Sequence, residues 1–90
     1  MEKRGKRCAV RRVVRMERYY DILRARGPAQ IRRDPALARM LRQLTEYYDG
    51  GQWLRDYLRD QQGGFPARLK RGVLSQDGVW DLLTALEGER

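Results

Sequence analysis

Two pairs of aspartates are spaced so that each pair could present two carboxylates on one side of a helix. Asp56 and Asp60 are four residues apart, and so are Asp77 and Asp81. Residues four apart are neighbours on a helix, so the pairs could hold a divalent metal through oxygen ligands. The chain contains no histidine and no Glu-x-x-His spacing, so we expect no metal and no cofactor. The carboxylates are then expected to pair with nearby cations, Arg55, Arg59, Lys70 or Arg71.

Residues suited to catalysis are scarce. Histidine, the usual proton shuttle near neutral pH, is absent. Ser75 has no base near it in sequence, and an N-cap role accounts for it. Gly50-Gly51 and Gly63-Gly64 lack the spacing and the lysine of a phosphate-binding loop. We predict that the protein is not an enzyme, and retain a small enzyme with a carboxylate metal site as a minor alternative.

The stretch from Leu69 to Asp77 combines two cations, a glycine, an apolar step and a helix-start signal. Lys70 and Arg71 could hold an anion beside the N-terminus of the last helix. We favour a structural role, in which Arg71 pairs with an aspartate (Asp77 or Asp56) or a carbonyl group. Gly72 would adopt a backbone angle that other residues avoid. The segment would then cross the domain and fix the last helix.

We use the name junction for this segment together with the side chains that we expect to contact it. Trp53 and Tyr57 are expected to lie near Val73 and Leu74 in it, since all four are apolar. The predicted junction residues are Trp53, Asp56, Tyr57, Lys70, Arg71, Gly72, Val73, Leu74, Ser75 and Asp77.

Seven tyrosines and tryptophans are spread over the chain. Interleaved with arginine, such rings can stack on nucleic-acid bases. In so small a domain they more often form the core or a subunit interface, because each ring buries a large area at modest entropy cost. These residues are Tyr19, Tyr20, Tyr47, Tyr48, Trp53, Tyr57 and Trp80.

The net charge of +8 is concentrated near the N-terminus. Residues 1–15 carry +6, residues 16–33 carry +3 and residues 34–90 carry −1. Clustered cations give salt-sensitive, sequence-independent affinity for nucleic acid, although no base-reading motif accompanies them. The alternative is a solvated arm with no partner. The candidate nucleic-acid contacts are Lys3, Arg4, Lys6, Arg7, Arg11, Arg12 and Arg15.

Ninety residues make one small domain with a thin core, and self-association would add buried area. The single cysteine, Cys8, cannot form an intramolecular disulfide, which points to a reducing compartment. No secretory signal is evident, and no apolar run approaches the ~20 residues that span a bilayer. We therefore expect a cytoplasmic protein without membrane contact. Met16 could also be the first residue, with residues 1–15 as upstream sequence.

Apolar residues recur every three or four positions in four segments, which predicts four helices. Gly27-Pro28 ends the first, because proline cannot continue the hydrogen-bond ladder. Asp34-Pro35 starts the second, with aspartate as cap and proline at the first helical position. No stretch alternates with period two. The predicted helices cover residues 9–25, 35–48, 51–60 and 76–87.

Part of this pattern resembles a small bacterial family catalogued as domain of unknown function 4298. The resemblance runs over residues 47–83. It implies a small helical protein with a helical hairpin ahead of the junction, and no known activity. The upstream part of this chain departs from the family pattern, since it is arginine-rich rather than glutamate-rich. The matching residues are Tyr47, Tyr48, Trp53, Asp56, Tyr57, Gly64, Pro66, Leu69 to Ser75, Asp77, Leu82 and Leu83.

The sequence thus predicts an all-α, small helical domain: an antiparallel helix pair, a short helix and a C-terminal helix. Residues 1–8 are expected to form a disordered, flexible basic arm and residues 9–90 one domain. We predict a non-enzymatic structural or protein-interaction module, with a protein partner or a second copy (a homodimer) as its partner. Nucleic-acid binding through the basic segment is the alternative.

Overall fold

Five α-helices and one 3₁₀ turn form the molecule, and the computed structural model describes residues 2–75 and 77–88. Among these residues there is no β-strand, so the prediction of a small all-α domain is confirmed. The elements are α1 (Glu2–Arg24), α2 (Pro28–Arg33), α3 (Pro35–Asp49), α4 (Gln52–Gln61), the 3₁₀ turn (Gly72–Leu74) and α5 (Gly78–Gly88).

Helix α1 begins earlier than the sequence predicted. A disordered arm was expected over residues 1–8, whereas the backbone is helical from Glu2. Arginine, lysine and glutamate are good helix formers, and turns added to an existing helix need no new nucleation. Further along, the apolar spacing placed Val10, Val13, Met16, Tyr20 and Leu23 on one face of α1. This face is buried except for Val10, which is partly buried, and Ala9 is buried as well.

Helix α2 was not predicted. Gly27-Pro28 ends α1 as expected, but Pro28 then occupies the first turn of a new six-residue helix. Its fixed φ and missing N–H suit that position. Ile31 is the residue of α2 that is buried in the core. One apolar anchor in six residues leaves no periodic signal, which is why the sequence pattern missed this helix.

Helix α3 begins as the sequence predicted. The Asp34 side chain accepts a hydrogen bond from Ala36 N at 2.9 Å, and Pro35 occupies the first turn. Because α2 reverses the chain, α3 returns alongside α1 and the two helices run antiparallel. At the end of α3, Gly51 has φ 91°, a left-handed conformation that favours glycine, and the chain turns there into α4.

Helix α4 differs from its predicted orientation. Leu54 and Leu58 were expected on the buried side with Trp53, but both are about half exposed. The buried side instead holds Trp53 and Asp56. An aspartate inside the core could not be anticipated from apolar spacing, because the pattern assigns charged residues to solvent.

Helix α5 starts at Gly78 rather than residue 76. Ser75 was predicted as its N-cap, but Ser75 N donates to Gly72 O at 3.0 Å and ends the 3₁₀ turn. Asp77 therefore precedes the helix and does not lie in its first turn. The 3₁₀ turn, whose Val73 and Leu74 are buried, packs against α1, α4 and α5. It is the centre of the fold.

Among the described residues, none of the helices is both long enough and apolar enough to span a membrane.

Candidate interaction sites

A charged network lies inside the molecule and joins three helices. Arg12 of α1 donates two hydrogen bonds to the Asp56 carboxylate of α4, from Nε to Oδ2 at 2.8 Å and from Nη2 to Oδ1 at 2.7 Å. Tyr47 of α3 donates its hydroxyl to Asp56 Oδ2 at 2.7 Å. Asp56 has 0% of its surface exposed. Paired, charge-assisted hydrogen bonds of this kind stabilise a buried carboxylate that would otherwise be very costly.

The protonation of the network follows from these contacts. Its hydrogen bond to Asp56 raises the pKa of the Arg12 guanidinium. Burial, and then the hydrogen bond to Asp56, raise the pKa of the Tyr47 hydroxyl well above its ordinary value. Both groups therefore keep their protons across the physiological range. The network binds helices together, and neither Arg12 nor Tyr47 is poised to exchange a proton near neutral pH.

The backbone of Val73 is held from two sides. Its N–H donates to Glu17 Oε1 of α1 at 2.6 Å, and its carbonyl accepts from Trp53 Nε1 of α4 at 2.8 Å. Both contacts are buried. Since a 3₁₀ turn leaves backbone groups without partners, these side chains complete its hydrogen bonding. They also connect α1 and α4 through the turn.

Arg71 holds the loop that leads into the 3₁₀ turn. Its Nη1 donates to Asp60 Oδ1 at 2.7 Å, and its Nη2 donates to Pro66 O at 2.5 Å. A longer bond joins Nε to Leu69 O at 3.2 Å. The partners of Arg71 are therefore two carbonyl groups, in line with one of the alternatives from the sequence, and Asp60 in place of Asp77 or Asp56.

Gly72 has an ordinary φ, contrary to the sequence interpretation, because the positive-φ residues of the described chain are Gly51 and Gly63. Its importance lies in close approach instead. A Cβ at position 72 would stand 3.1 Å from Glu17 Oε2. The predicted junction residues Lys70, Ser75 and Asp77 are exposed. Tyr57 is partly buried and stacks on Trp53.

The aspartate pairs do not form a common site. Asp56 is bonded to Arg12 and Tyr47, and Asp60 is paired with Arg71. Over residues 2–75 and 77–88, no group of three or more His, Cys, Asp or Glu side chains is placed to hold a metal ion. The carboxylates near the junction thus serve the packing of helices and loop.

A groove of about 640 Å³ runs between α1 and the loop before the 3₁₀ turn, and we call it the α1 groove. Val14, half exposed, lies on the α1 side, and Leu69 lies on the loop side. The remaining apolar lining residues are Val10, Ile22 and Pro66. The charged lining residues are Glu17, Arg18, Asp21, Arg68 and Lys70.

A second opening of about 490 Å³, the aromatic cleft, lies between α4 and the start of α5. Trp53 stacks on Tyr57 with ring centroids 5.1 Å apart and contacts Tyr48 at the same centroid distance. Trp80 and Asp77 line the opposite side, and 54% of Trp80 is exposed. The predicted role of these rings as core therefore holds for Trp53 but not for Trp80.

The structure places some of the candidate nucleic-acid contacts at the surface and one of them in the interior. Arg12 points inward to Asp56, whereas Arg11 and Arg15 are exposed. Arg11, Arg15 and Arg18 follow one face of α1 at spacings of four and three. With Val10, Val14 and Tyr19 they line a further shallow cleft. A fourth cleft between α3 and α5 includes Arg32, Arg42 and Glu46. The side chains of Lys3, Arg4, Lys6 and Arg7 lie outside the described part of the molecule.

The sequence analysis did not anticipate the buried hydrogen bonds of three residues: Arg12, Glu17 and Tyr47. Arg12 was assigned to nucleic acid, Glu17 to the charge balance and Tyr47 to the general aromatic core. A signal existed for Arg12, because it lies one position before the buried Val13 and four before Met16. A long basic side chain at the border of an apolar face can extend inward and pair with a buried carboxylate.

Comparison with known proteins identifies the family. The model of domain of unknown function 4298 (DUF4298) matches residues 29–88. This segment includes α3, α4, the 3₁₀ turn and α5, while α1 with Arg12 and Glu17 precedes it. No curated protein and no solved structure matches the chain significantly. Since the match covers more than half of the sequence, the chain belongs to the DUF4298 family.

Proposed function

We propose that the protein is a non-enzymatic interaction module that binds an acidic, amphipathic helical segment of a protein partner in the α1 groove. The observation that carries this proposal is the combination of apolar lining and uncompensated cations in one groove. We also propose a reducing, cytoplasmic setting, which the free and exposed thiol of Cys8 supports.

The apolar part of the groove favours a protein segment. Val14 is 51% exposed on α1, and Val10 and Ile22 of the same helix add apolar surface to the groove. An amphipathic helix laid into such a groove removes this surface from water and presents its polar side outward. Burial of apolar surface is the main favourable contribution to association of this kind.

The charges around the groove favour an acidic segment. Glu17 is occupied by Val73 N, and Asp21 pairs with Arg24 at 3.1 Å. Three cations line the groove: Arg18, Arg68 and Lys70. They have no hydrogen-bond or ion-pair partner among the side chains that the structure describes, those of residues 8–75 and 77–86. Carboxylates on a partner helix would complement them and fix its register.

The same charges disfavour a second copy of this chain as the occupant. Each copy carries a net charge of +8, and facing α1 grooves would bring unpaired cations together. Like charges placed opposite each other weaken an interface and select against that partner. We therefore do not propose a homodimer through this groove, and the sedimentation experiment below would detect one.

Two model peptides test the proposal. Both are helical with identical leucine faces, and their polar faces carry either glutamate or lysine. Fluorescence polarisation with the full chain should show saturable binding of the glutamate peptide, weakening as salt increases, and no binding of the lysine peptide. Sedimentation of the peptide-free chain at the same concentrations should give a monomer.

Two matched variants locate the binding. Val14→Glu places a carboxylate in the groove and should abolish binding of the glutamate peptide. Leu54→Glu makes the same charge change at a residue that is equally exposed (52%) on α4 and should leave binding unchanged. Equal binding of both peptides, full binding by Val14→Glu, or a concentration-dependent dimer would each contradict the proposal.

Nucleic-acid binding is the second candidate, and one observation favours it. Arg11 and Arg15 are exposed on one face of α1 and have no partner among the described residues. Exposed cations in a row bind phosphates with a strong salt dependence and no sequence preference. Removing residues 1–15 would not test this, because Arg12, Ala9 and Val13 belong to the interior.

Charge-matched substitutions test it instead. Arg11→Gln with Arg15→Gln should lower the slope of log affinity against log salt for a mixed-sequence duplex by about 2, roughly one unit per phosphate contact. Arg39→Gln with Arg55→Gln removes the same charge from other exposed positions. Equal losses in the two double variants would show non-specific attraction by the net charge alone.

A further inference from the structure

We propose that the aromatic cleft binds an alkylated ammonium cation, either a free small molecule or a methylated lysine side chain. This site is separate from the α1 groove, so the proposal does not depend on the proposed function. Clefts that recognise quaternary ammonium groups do so through the faces of aromatic rings, and a carboxylate nearby adds charge attraction.

The rings provide the first part of the argument. The stacked pair Trp53 and Tyr57, with an interplanar angle of 15°, forms one wall together with Tyr48. Trp80 also lines the cleft and is 54% exposed, so a ligand can reach it. A cation within about 6 Å of such ring centroids is attracted by their negative faces.

The charge of the cleft provides the second part. Asp77 is the charged residue that lines it, and its carboxylate has no hydrogen bond or ion pair within the described chain. Each of the other three clefts described above is lined by two or more arginine or lysine residues, whereas this one is lined by none. In a chain with charge +8, this opening is therefore better suited to a positively charged ligand than the other three clefts are.

The rigidity of the wall provides the third part. Trp53 Nε1 donates to Val73 O at 2.8 Å, so the indole at the centre of the aromatic wall is fixed before any ligand arrives. A pre-formed wall binds without the entropy cost of ordering side chains.

The two tryptophans of the chain, Trp53 and Trp80, both line the cleft, which makes the test direct. The two indole N–H signals in a ¹H–¹⁵N spectrum therefore both come from residues that line it. Titration of the full chain with choline should shift both signals saturably. The neutral isostere 3,3-dimethylbutan-1-ol, which has the same shape without the charge, should produce no saturable shift.

Three variants assign the interaction to the cleft. Trp80→Leu and Asp77→Asn should each weaken choline binding about 3- to 30-fold, the range expected when one cation–π or charged contact is removed. Asp81→Asn changes an exposed aspartate in the first turn of α5 that does not line the cleft. It should bind like the parent, and thermal melts should show that all three variants fold.

A second ligand distinguishes a methylated lysine side chain from a free small molecule as the natural ligand. A short, end-blocked peptide containing trimethyllysine should bind more tightly than choline if the natural ligand is a protein side chain. Equal affinity would assign a free small molecule. The absence of saturable shifts with either ligand, an equal response to the neutral isostere, or unchanged binding by Trp80→Leu would overturn the proposal.

Discussion

The Asp56 carboxylate lies in the interior. Its hydrogen bonds to Arg12 and Tyr47 determine how much of the free energy of desolvation is offset. Desolvation of a charged pair is only offset when geometry is good and the remaining lone pairs are bonded. Arg12 supplies two bonds and Tyr47 a third. Arg12 and Tyr47 therefore stabilise the fold chiefly by bonding this buried carboxylate.

Removing Arg12 should be among the most damaging single changes. Arg12→Met keeps much of the side-chain volume but leaves the Asp56 charge buried without its cation. We expect a loss of about 3–5 kcal/mol in the free energy of unfolding, measured by urea denaturation. Arg12→Met combined with Asp56→Leu should recover part of that loss. Simple additivity of the two single variants would contradict the direct pairing.

Tyr47 should make stability fall at high pH. Its pKa is raised from an ordinary value of 10.0, so the folded state holds the proton more tightly than the unfolded chain does. This stabilisation is complete below pH 10.0 and declines as the pH rises further, by about 1.4 kcal/mol per pH unit. Tyr47→Phe should remove that part of the decline when urea midpoints are compared. An identical alkaline slope in the variant would refute it.

The buried apolar face of α1 was predictable from the sequence, but the partners of its charged residues were not. Apolar spacing identified Val13, Met16 and Leu23 as buried, because helix period and burial are directly related. The bonds from Arg12 to Asp56 and from Glu17 to Val73 join positions 44 and 56 residues apart. Contacts of that separation depend on how helices pack, which local sequence does not specify.

At the scale of elements, α5 approaches the 3₁₀ turn closely at Gly78. A Cβ there would collide with Ser75 Oγ and stand 2.8 Å from Tyr20 Oη. Glycine thus allows α5 to begin against the turn and α1. The sequence offered no sign of this, because a glycine in a first helical turn is ordinarily unremarkable.

Gly78→Ala should destabilise the protein even though alanine is normally the better helix former. We expect a loss of about 1–3 kcal/mol from overpacking, compared by thermal melting. Gly27→Ala is the matched control, since a Cβ at position 27 meets nothing within 4 Å. Gly72→Val should cause a loss of stability between those of these two variants. The atom nearest to a Cβ at position 72 is a side-chain oxygen of Glu17, which can shift more easily than backbone can. Equal melting temperatures for parent and Gly78→Ala would show that the close approach is not required.

The loop before the 3₁₀ turn should depend on Arg71 and not on Lys70. Arg71→Ala removes the contacts to Asp60, Pro66 and Leu69 and should cost about 1–3 kcal/mol. Lys70→Ala is the adjacent, exposed control and should change stability by no more than about 0.5 kcal/mol. Proteolysis within the loop should accelerate in the first variant. If both variants melted like the parent, the loop would not depend on Arg71.

Across the whole molecule, polar side chains divide into an inner and an outer set. The inner set, with Asp56 at its centre, joins α1, α3 and α4. The outer set is dominated by cations along α1 and the adjoining loop. Composition predicted this basic surface, but the apolar groove within it required the packing of the loop against α1. We therefore propose that the outer set serves recognition and the inner set stability.

The most direct test of this account is to map where an acidic amphipathic helix binds the intact chain. In a ¹H–¹⁵N titration with the glutamate peptide, the largest amide shifts should fall at Val10, Val14 and Leu69. Arg39 and Leu54, on other surfaces, should remain unchanged. Shifts centred on any other surface, or no saturable shifts at all, would contradict the claim that the α1 groove is the binding site.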